Sequence, residues 1–491
     1  MSSGDGLPKG WASTTLGKCL PIEYGKGLTK RDRDSSGTIP VYGSNGVVGT
    51  HSTKLTSGVT LIIGRKGSAG AVHYSPGPCW AIDTTYYTQG TPYTNLQYFY
   101  YLLVHTQLGS LDRSTAVPSL SRDDYNATVV PVAPLAEQHR IVEKLEELLT
   151  DLDAGMAALE RVRGNLKRYR ASVLKAAVEG RLTAAWRAEN PPKEPARQLL
   201  ARILKERRRR WEEQQLAAYK AKSKTPPKGW EKKYKEPAEP DTTNLPELPE
   251  GWCWARVDQV GDVQLGRQRS PKHHQGPHMR PYLRVANVFE DRIDTSDVME
   301  MNFTPVEYET YRLDYGDILL NEGQSKELVG RPAIYRNEVP GSCFTNTLVR
   351  FKARSGIDPE YALAVFLTYL KNGRFQKIAS ITVNIAHLGA GRFAEVEFPV
   401  PPIDEQKQIV IELQERQTMI SAIEALLDAN IKRATRLRQS ILKRAFEGKL
   451  VPQDPSDEPA SKLLERIKQA RQKAENNGKP KNKTRRKRRT A

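Results

Sequence analysis

The chain has 491 residues, too many for one compact core, so two or three globular units joined by connectors are expected. Its 76 basic and 57 acidic residues give a net charge of +19, which favours a polyanionic partner such as nucleic acid. No apolar run approaches the ~20 residues that span a bilayer, which excludes a membrane-spanning protein. The four cysteines lack metal-ligand spacing and fit a reduced, cytoplasmic compartment.

The first predicted domain, residues 1–133, contains basic, glycine-rich loops. They are EYGKGLTKRDRDSSG (23–37), GRKGS (64–68) and DRST (112–115). Arginine and lysine can bind guanine edges or phosphates, so the set favours nucleic-acid contact, although any single residue could belong to a solvated loop. The candidate contact residues are Lys26, Lys30, Arg31, Arg33, Arg65, Lys66, Arg113 and Ser114.

A long helix is predicted for residues 134–182. Its apolar residues recur mostly at steps of three and four, which is the seam pattern of a coiled coil. Pro134 precedes the first turn and Gly180 stands where a C-terminal cap belongs. The predicted seam residues are Ile141, Leu145, Leu148, Leu152 and Leu159.

A linker follows at residues 183–244. Residues 201–222 have a basic helical pattern, and residues 224–251 are rich in proline and charge. The composition of the second segment predicts an extended, loop-like chain.

The second predicted domain, residues 245–401, again contains polar loops, namely QLGRQRSPKHHQG (264–276), NEGQSK (321–326) and TVNIAH (382–387). Asparagine and glutamine can pair with adenine, which adds to the contacts available to arginine and lysine. The candidates are Arg267, Gln268, Arg269, Lys272, Asn321, Gln324, Lys326, Asn384 and His387. His273, His274 and His278 lack a matched cysteine or aspartate set, so no metal site is predicted.

A second long helix is predicted for residues 402–450, with seam residues Ile409, Leu413, Ile420, Ile423 and Leu427. The remaining residues, 451–491, predict a short helix and then a basic, disordered tail. From Arg471 onward there are ten Lys or Arg residues and one acidic residue.

The two long helices are copies of each other. PLAEQHRIVEKL (134–145) matches PIDEQKQIVIEL (402–413) at an offset of 268, and the register holds without a gap for 49 residues, to EGRL and EGKL. Helices resist insertion because one extra residue turns the apolar face by about 100°. The domain openings LPKGW (7–11) and LPEGW (248–252) repeat as well. The sequence therefore predicts a tandemly duplicated α+β protein, in which two globular α/β domains alternate with two long helices that pack on each other.

The sequence lacks recognisable catalytic motifs. The sequence has no Walker loop and no G-x-G-x-x-G after a strand. NPPK (190–193) lacks the aromatic fourth residue that an amino-methyltransferase needs. No catalytic residue, metal or bound cofactor is predicted for this chain.

The tandem P-x-x-E-Q-x-x-I-V helix starts at Pro134 and Pro402, and the helix ends SVLKAAVEGRL and SILKRAFEGKL, resemble the DNA-specificity subunit of type I restriction–modification systems. The resemblance implies two target-recognition domains that each read one half of an asymmetric, bipartite site in double-stranded DNA. It implies an antiparallel coiled coil that sets the gap, and a pseudo-twofold axis between the domains. It also implies two methyltransferase subunits that use S-adenosylmethionine, and endonuclease or translocase subunits that use ATP and Mg.

Two other functions stay open from the residues alone. A non-catalytic coiled-coil adaptor with a basic RNA- or protein-binding surface would show salt-dependent binding without base preference. A nuclease would reveal itself as cleavage by the purified chain with magnesium. Spacing alone gives no residue-to-base code, so the bases recognised cannot be read from the sequence.

Overall fold

The computed structural model describes residues 6–112, 117–382 and 385–477, with side chains described as far as Lys473. The chain forms two compact units. One comprises Met1–Glu160 with Leu427–Ala491, and the other comprises Arg161–Leu426. The first unit holds domain 1 and the second holds domain 2. Each unit also contains the first half of one long helix and the second half of the other.

Domain 1 and the first long helix contain nine strands and four α-helices among the described residues. In chain order they are β1 (Ala12–Thr15), α1 (Leu16–Cys19), β2 (Glu23–Tyr24), β3 (Ile39–Gly43), β4 (Gly46–His51), β5 (Thr60–Gly64), β6 (Val72–Ser75), β7 (Trp80–Ala81), β8 (Thr85–Thr88), α2 (Leu96–Thr106), α3 (Arg122–Ala127), β9 (Val129–Val132) and α4 (Leu135–Val178).

The linker, domain 2 and the second long helix follow. They contain α5 (Ala184–Glu189), α6 (Ala196–Ala221), β10 (Cys253–Arg256), α7 (Val257–Val260), β11 (Gly261–Leu265), β12 (Met279–Leu283), β13 (Val288–Phe289), β14 (Arg292–Ile293), β15 (Met299–Asn302), α8 (Pro305–Tyr311), β16 (Ile318–Asn321), β17 (Gly323–Gln324), β18 (Pro332–Ile334), β19 (Cys343–Phe344), β20 (Leu348–Ala353), α9 (Pro359–Lys371), α10 (Arg374–Ile378), β21 (Ser380–Thr382), β22 (Ile385–His387), α11 (Ala390–Ala394), β23 (Glu397–Val400), α12 (Ile403–Phe446) and α13 (Ala460–Asn477).

The two domains have the same sheets in the same order. The four-stranded sheet is β2-β8-β5-β6 in domain 1 and β11-β20-β16-β18 in domain 2. The three-stranded sheet is β4-β3-β7 in one and β15-β12-β19 in the other, and its last pair is parallel in both. A two-stranded ribbon, β1-β9 or β10-β23, closes each domain next to the long helix. Domain 2 adds the hairpin β13-β14 and the small sheet β17-β22-β21. The predicted duplication of the globular parts is thus present at the level of topology.

Each four-stranded sheet packs its apolar face on a helix. In domain 1, Leu61 and Ile63 of β5 share a core with Phe99 and Leu103 of α2, all fully buried. In domain 2, Phe351 of β20 lies in the corresponding core, with its ring centroid 5.0 Å from that of Phe366 in α9. These cores hold the strands in place, so the loops at the strand ends can carry polar side chains.

The long helices α4 and α12 are unbroken and pack together in opposite directions. In the first unit, Asp153 of α4 forms an ion pair with Arg438 of α12. In the second unit, Arg170 of α4 bonds to Glu424 of α12 at 3.1 Å. The partner on α12 has a lower residue number as the residue number on α4 rises, so the two helices are antiparallel. Gly155 and Gly164 do not interrupt α4, and Gly180 and Gly448 adopt the positive φ of a C-terminal cap (+68° and +66°).

The predicted seam residues are mostly removed from solvent. Ile141, Leu145 and Ile409 are fully buried, Ile420 and Leu427 are 2% and 5% exposed, and Leu148, Leu152, Leu159 and Leu413 are half-buried.

The exception is Ile423, which is 41% exposed. Glu424, one residue further on, takes the inward position and pairs with Arg170. A straight helix has 3.6 residues per turn, whereas a strict seam repeats every 3.5, so the packed face slips by one residue along a helix of this length.

The repeated phrases form a joint between each domain and its helix. The Trp11 indole nitrogen donates to Glu137 at 3.0 Å, and the Trp252 indole nitrogen donates to Glu405 at 2.8 Å. The glutamine after each glutamate (Gln138 or Gln406) donates to the backbone carbonyl oxygen of the residue before the helix-start proline. We call these two sites joint 1 and joint 2.

The helices that follow the spacers also repeat. The Ala196 amide at the start of α6 donates to the Gly251 carbonyl (2.9 Å), and the Ala460 amide at the start of α13 donates to the Gly10 carbonyl (2.8 Å). Gly10 and Gly251 both have φ +86°, a conformation that side chains disfavour. In each LPxGW motif, the glycine carbonyl therefore accepts a hydrogen bond from the first residue of a helix, and the tryptophan donates to the joint glutamate.

The proline-rich linker is less extended than its composition predicts. Residues Trp230–Lys233 form a short 3₁₀ turn, and the Trp230 ring stacks on Trp211 of α6 with centroids 5.8 Å apart. Arg207 of α6 donates to the Tyr234 hydroxyl at 2.5 Å. Aromatic stacking thus fastens one point of the linker to the basic helix. The prediction of a disordered tail is wrong for residues 472–477, which continue helix α13; the rest of the predicted basic tail, from Gly478 onward, lies outside the described residues.

Within the described ranges, no helix combines the length and the apolar character that crossing a bilayer requires.

Candidate nucleic-acid interface

In domain 1, four chain segments meet at one end of the four-stranded sheet. They are residues 25–26, 64–70, 81–85 and 119–120, and backbone hydrogen bonds tie them together. We call this arrangement loop frame 1. Its bonds run from Gly25 N to Thr85 O (2.9 Å), Lys26 N to Ala81 O (2.9 Å), Arg65 N to Thr84 O (2.9 Å), Gly70 N to Gly64 O (2.8 Å) and Leu120 N to Arg65 O (2.9 Å).

Domain 2 has a matching arrangement, loop frame 2, made of residues 266–267, 321–330, 344–348 and 387–388. The same five bonds recur in the same order. They run from Gly266 N to Leu348 O (3.1 Å), Arg267 N to Phe344 O (3.1 Å), Glu322 N to Thr347 O (2.9 Å), Gly330 N to Asn321 O (2.9 Å) and Leu388 N to Glu322 O (2.8 Å).

Both frames need a glycine at the same point. A Cβ on Gly25 would lie 2.0 Å from the Ile82 carbonyl oxygen, and a Cβ on Gly266 would lie 2.2 Å from the Thr345 carbonyl oxygen. Neither glycine has a positive φ, so the constraint is the close approach of two backbone segments. The frames are therefore the same backbone construction, and residues can be paired between them.

At paired positions the side chains differ in charge and exposure. Lys26 of frame 1 is exposed, whereas its counterpart Arg267 is 6% exposed and bonds to Glu307 (2.8 Å) and to the Asn302 carbonyl (2.8 Å). The pair Arg65 and Glu322 is opposite in charge. The two domains thus offer different chemistry on a common backbone.

Arg65 is held in a defined orientation. Its Nε and Nη2 atoms both donate to the Asp83 carbonyl oxygen, at 3.1 and 2.7 Å. Its guanidinium lies 5.6 Å from the centroid of the Tyr24 ring, and the guanidinium of Arg122 lies 5.5 Å from the same ring. Tyr24 is 52% exposed, so this cationic cluster is at the surface.

Glu322 is held by a histidine. Its carboxylate lies 3.1 Å from Nδ1 of His387, with 19% of the glutamate side chain and 36% of the histidine side chain exposed. The two residues are brought together because Gly323 pairs with His387 in the small sheet β17-β22-β21. In frame 1 the counterpart of this pairing is an isolated bridge between Lys66 and Ser119.

The structure joins some of the predicted residues of domain 1 and separates others. Lys26, Arg65 and Lys66 belong to frame 1. Lys30 and Arg31 lie on the exposed turn that follows β2, and Arg33 is half-buried with Nη1 donating to the Val48 carbonyl at 2.8 Å. Arg113 and Ser114 lie outside the described residues.

The predicted residues of domain 2 are divided in the same way. Arg267, Asn321, Gln324 and His387 belong to frame 2 or its small sheet, with Arg267 and Asn321 buried. The exposed ones are Gln268, Arg269, Lys272 and Lys326, of which Arg269 stacks on Tyr282 at 5.6 Å; Asn384 lies outside the described residues.

Sequence reasoning missed the segments that link each frame. Residues 82–84 and 345–347 supply the central carbonyls, yet they carry neither a basic cluster nor a glycine-rich pattern. Tyr24, Arg122 and Glu322 are not among the predicted contact residues, although Tyr24 and Glu322 lie within the predicted loops 23–37 and 321–326. The only available signal was the repeat itself, which aligns VTLIIGR (59–65) with GDILLNE (316–322).

Among the side chains that the structure describes, no group of three or more His, Cys, Asp or Glu residues is arranged to hold a metal ion. The chemistry that the frames offer is hydrogen bonding by arginine, lysine, amide and carboxylate groups. Such groups can contact base edges and phosphates.

Comparisons with known proteins point to one family. Residues 8–160 and 249–433 match the family described as Type I restriction modification DNA specificity domain. The chain is 26% identical over 494 residues to the type I restriction enzyme EcoDI specificity subunit of Escherichia coli, covering 96% of this chain and 97% of that one. It is 24% identical over 379 residues to the EcoKI specificity subunit of Escherichia coli strain K12, covering 75% of this chain and 69% of that one.

A solved structure shares the fold. It comes from work on complex assembly and conformational transition of the type I R-M system, and it matches with a TM-score of 0.55 and 18% identity over 90% of this chain and 99% of that one.

Proposed function

The chain belongs to the type I restriction modification DNA specificity family, and from this premise we propose that it reads an asymmetric, bipartite DNA site. It is a specificity subunit, which recognises DNA and is not itself an enzyme. In the proposal, loop frame 1 reads one half of the site and loop frame 2 reads the other. No base-specific chemistry is assigned to the paired helices.

The observation that carries this proposal is the pair of loop frames. Two loop frames with the same five backbone hydrogen bonds would dock on DNA in the same way. Because their side chains differ, they would select different bases, and the two half-sites need not match. A symmetric homodimer with identical readers would require a palindrome instead.

The paired helices would set the distance between the half-sites. Each has 44 residues, which corresponds to about 66 Å of helix at ~1.5 Å per residue. We propose that their length fixes the number of unread base pairs, on the order of one DNA turn of ~34 Å between half-site centres.

The partners follow from the family. We propose that two methyltransferase subunits dock on this chain and supply S-adenosylmethionine, and that endonuclease or translocase subunits supply ATP and Mg. This chain itself would bind no cofactor. A DNA target of this kind agrees with the expected cytoplasmic location.

The test is selection of bound duplexes from a random-sequence library by the full chain, alone and with methyltransferase subunits. The proposal expects a gapped motif with two unlike specific blocks. A continuous or palindromic motif, or salt-dependent binding without base preference as an RNA- or protein-binding adaptor would show, would contradict it. DNA cleavage by the purified chain with magnesium would also contradict it.

A further inference from the structure

The position occupied by Arg65 in loop frame 1 and by Glu322 in loop frame 2 lies at the centre of the shared bonding pattern. In each frame this residue donates its amide to the 82–84 or 345–347 segment and accepts from a leucine amide through its carbonyl. Its backbone is therefore fixed on both sides, and its side chain starts from the same place in both domains. A side chain on a fixed backbone is well suited to recognising a nucleobase, because little backbone entropy is lost when the side chain binds.

Arg65 is arranged to present one end of its guanidinium. The Nε–Nη2 edge is occupied by the Asp83 carbonyl oxygen. The Nη1–Nη2 end forms no other hydrogen bond with the described residues, and the Tyr24 ring limits the tilt of the plane. Two parallel N–H groups are the geometry with which arginine binds O6 and N7 of guanine.

Glu322 presents the opposite chemistry. One carboxylate oxygen lies beside His387 Nδ1, and no other side-chain hydrogen bond engages the carboxylate among the described residues. A carboxylate repels phosphate, so contact between Glu322 and the DNA backbone is disfavoured, and a base edge is the favourable contact open to it. Among base edges in the major groove, a carboxylate accepts from the exocyclic amine of cytosine.

We propose that Arg65 and Glu322 are equivalent specificity-determining residues, with Arg65 reading guanine in one half-site and Glu322 reading cytosine in the other. His387 is a positioning residue, which holds the Glu322 carboxylate in place. The charge reversal at one structural position is then a reason why the two half-sites differ. This inference rests on the proposed function.

The main rival for Arg65 is a phosphate contact. Phosphate contacts weaken binding to all sequences alike and contribute to its salt dependence, whereas a base contact changes preference at one position. The rival for Glu322 is a structural role, in which the carboxylate only fastens the small sheet through His387. Such a role would alter stability and leave the selected motif unchanged.

The experiment compares motifs selected by the full chain carrying Glu322→Gln with those of the unmodified chain. Glutamine keeps the size of the side chain but can pair with N6 and N7 of adenine. One position of one half-site should lose its requirement for cytosine and accept adenine, with discrimination falling roughly five- to hundred-fold. The other half-site should be unchanged. Arg65→Gln should relax a guanine position in the opposite half-site by a similar factor.

The matched control is Glu300→Gln, an exposed glutamate of β15 outside loop frame 2, which should leave the motif as it is. An unchanged motif with Glu322→Gln, or uniform weakening with a smaller salt dependence, would overturn the inference. These results count only if the unmodified chain selects a gapped motif. Without that motif, the proposed function itself has failed, and the two failures are distinguishable.

Discussion

The joints and the loop frames are both duplicated, but they repeat different things. Joint 1 and joint 2 keep the same side chains, a tryptophan that donates to a buried glutamate. Loop frame 1 and loop frame 2 keep only the backbone, and they exchange an arginine for a glutamate at the central position. The duplication therefore preserves side chains where a domain is fastened to its helix and backbone geometry in the loop frames, where we propose that each domain contacts DNA.

The joints nevertheless differ in one respect. At joint 2, Oε1 of Glu405 accepts from Thr183 Oγ1 (2.7 Å) and from Arg187 Nε (2.9 Å). At joint 1, Oε1 of Glu137 is buried and has no hydrogen-bond partner among the described residues. One joint is thus a satisfied network and the other an incomplete one, which predicts unequal responses to mutation.

The largest expected effect comes from removing the carboxylate of joint 2. Glu405→Ala would leave Arg187, Thr183 and the Trp252 indole without their shared acceptor, at a cost of about 3–5 kcal/mol. Hydrogen exchange of the β10 and β23 amides should show this loss. Glu137→Ala is the matched control and should cost less, since Glu137 serves fewer partners. Equal costs at both joints would contradict the comparison.

A smaller effect is expected from crowding a frame. Gly266→Ala brings a Cβ within 2.2 Å of the Thr345 carbonyl oxygen, so frame 2 must distort at a cost of about 1–3 kcal/mol. Duplex selection should then lose one specific block and keep the other. Gly27→Ala, where a Cβ meets no atom within 4 Å, is the control. Loss of both blocks, or of neither, would show that the frames do not read separately.

The incomplete joint can be repaired. Val451 follows the helix end at the same repeat position as Thr183, so Val451→Thr should place a hydroxyl near Glu137 Oε1. A new hydrogen bond is expected to stabilise the first unit by about 0.5–1.5 kcal/mol. Thr183→Val is the reverse change in joint 2 and should destabilise the second unit. Hydrogen exchange of β1 and β9 reports the gain, and a loss of protection there would refute it.

The smallest effect is a pH dependence at joint 1. Burial raises the pKa of Glu137 above its usual value. A raised folded-state pKa contributes stability that is present below pH ~4.5 and is lost as pH rises through the folded value. Glu137→Gln should remove this decline in the unfolding free energy of the first unit. Glu143→Gln, an exposed neighbour on α4, is the matched control; a decline that persists in Glu137→Gln would contradict the assignment.

The sequence was sufficient for the helices and insufficient for the frames. Residues three and four apart share a helix face, so the seam could be read locally, and only Ile423 departed from it. The frame bonds join residues far apart in the chain, such as Lys26 and Ala81, which no local pattern connects. Glu322 is absent from the predicted contacts because only basic, amide and hydroxyl side chains and one histidine were considered, and Arg267 is among them although Glu307 keeps it inside the fold. Topology was needed to show which loops meet.

The most direct measurement is a structure of the full chain bound to its selected duplex. We predict that the Arg65 guanidinium and the Glu322 carboxylate each lie within about 3.5 Å of a base edge, at corresponding positions of the two half-sites. This prediction would be contradicted if the DNA were bound with either loop frame turned away from the bases.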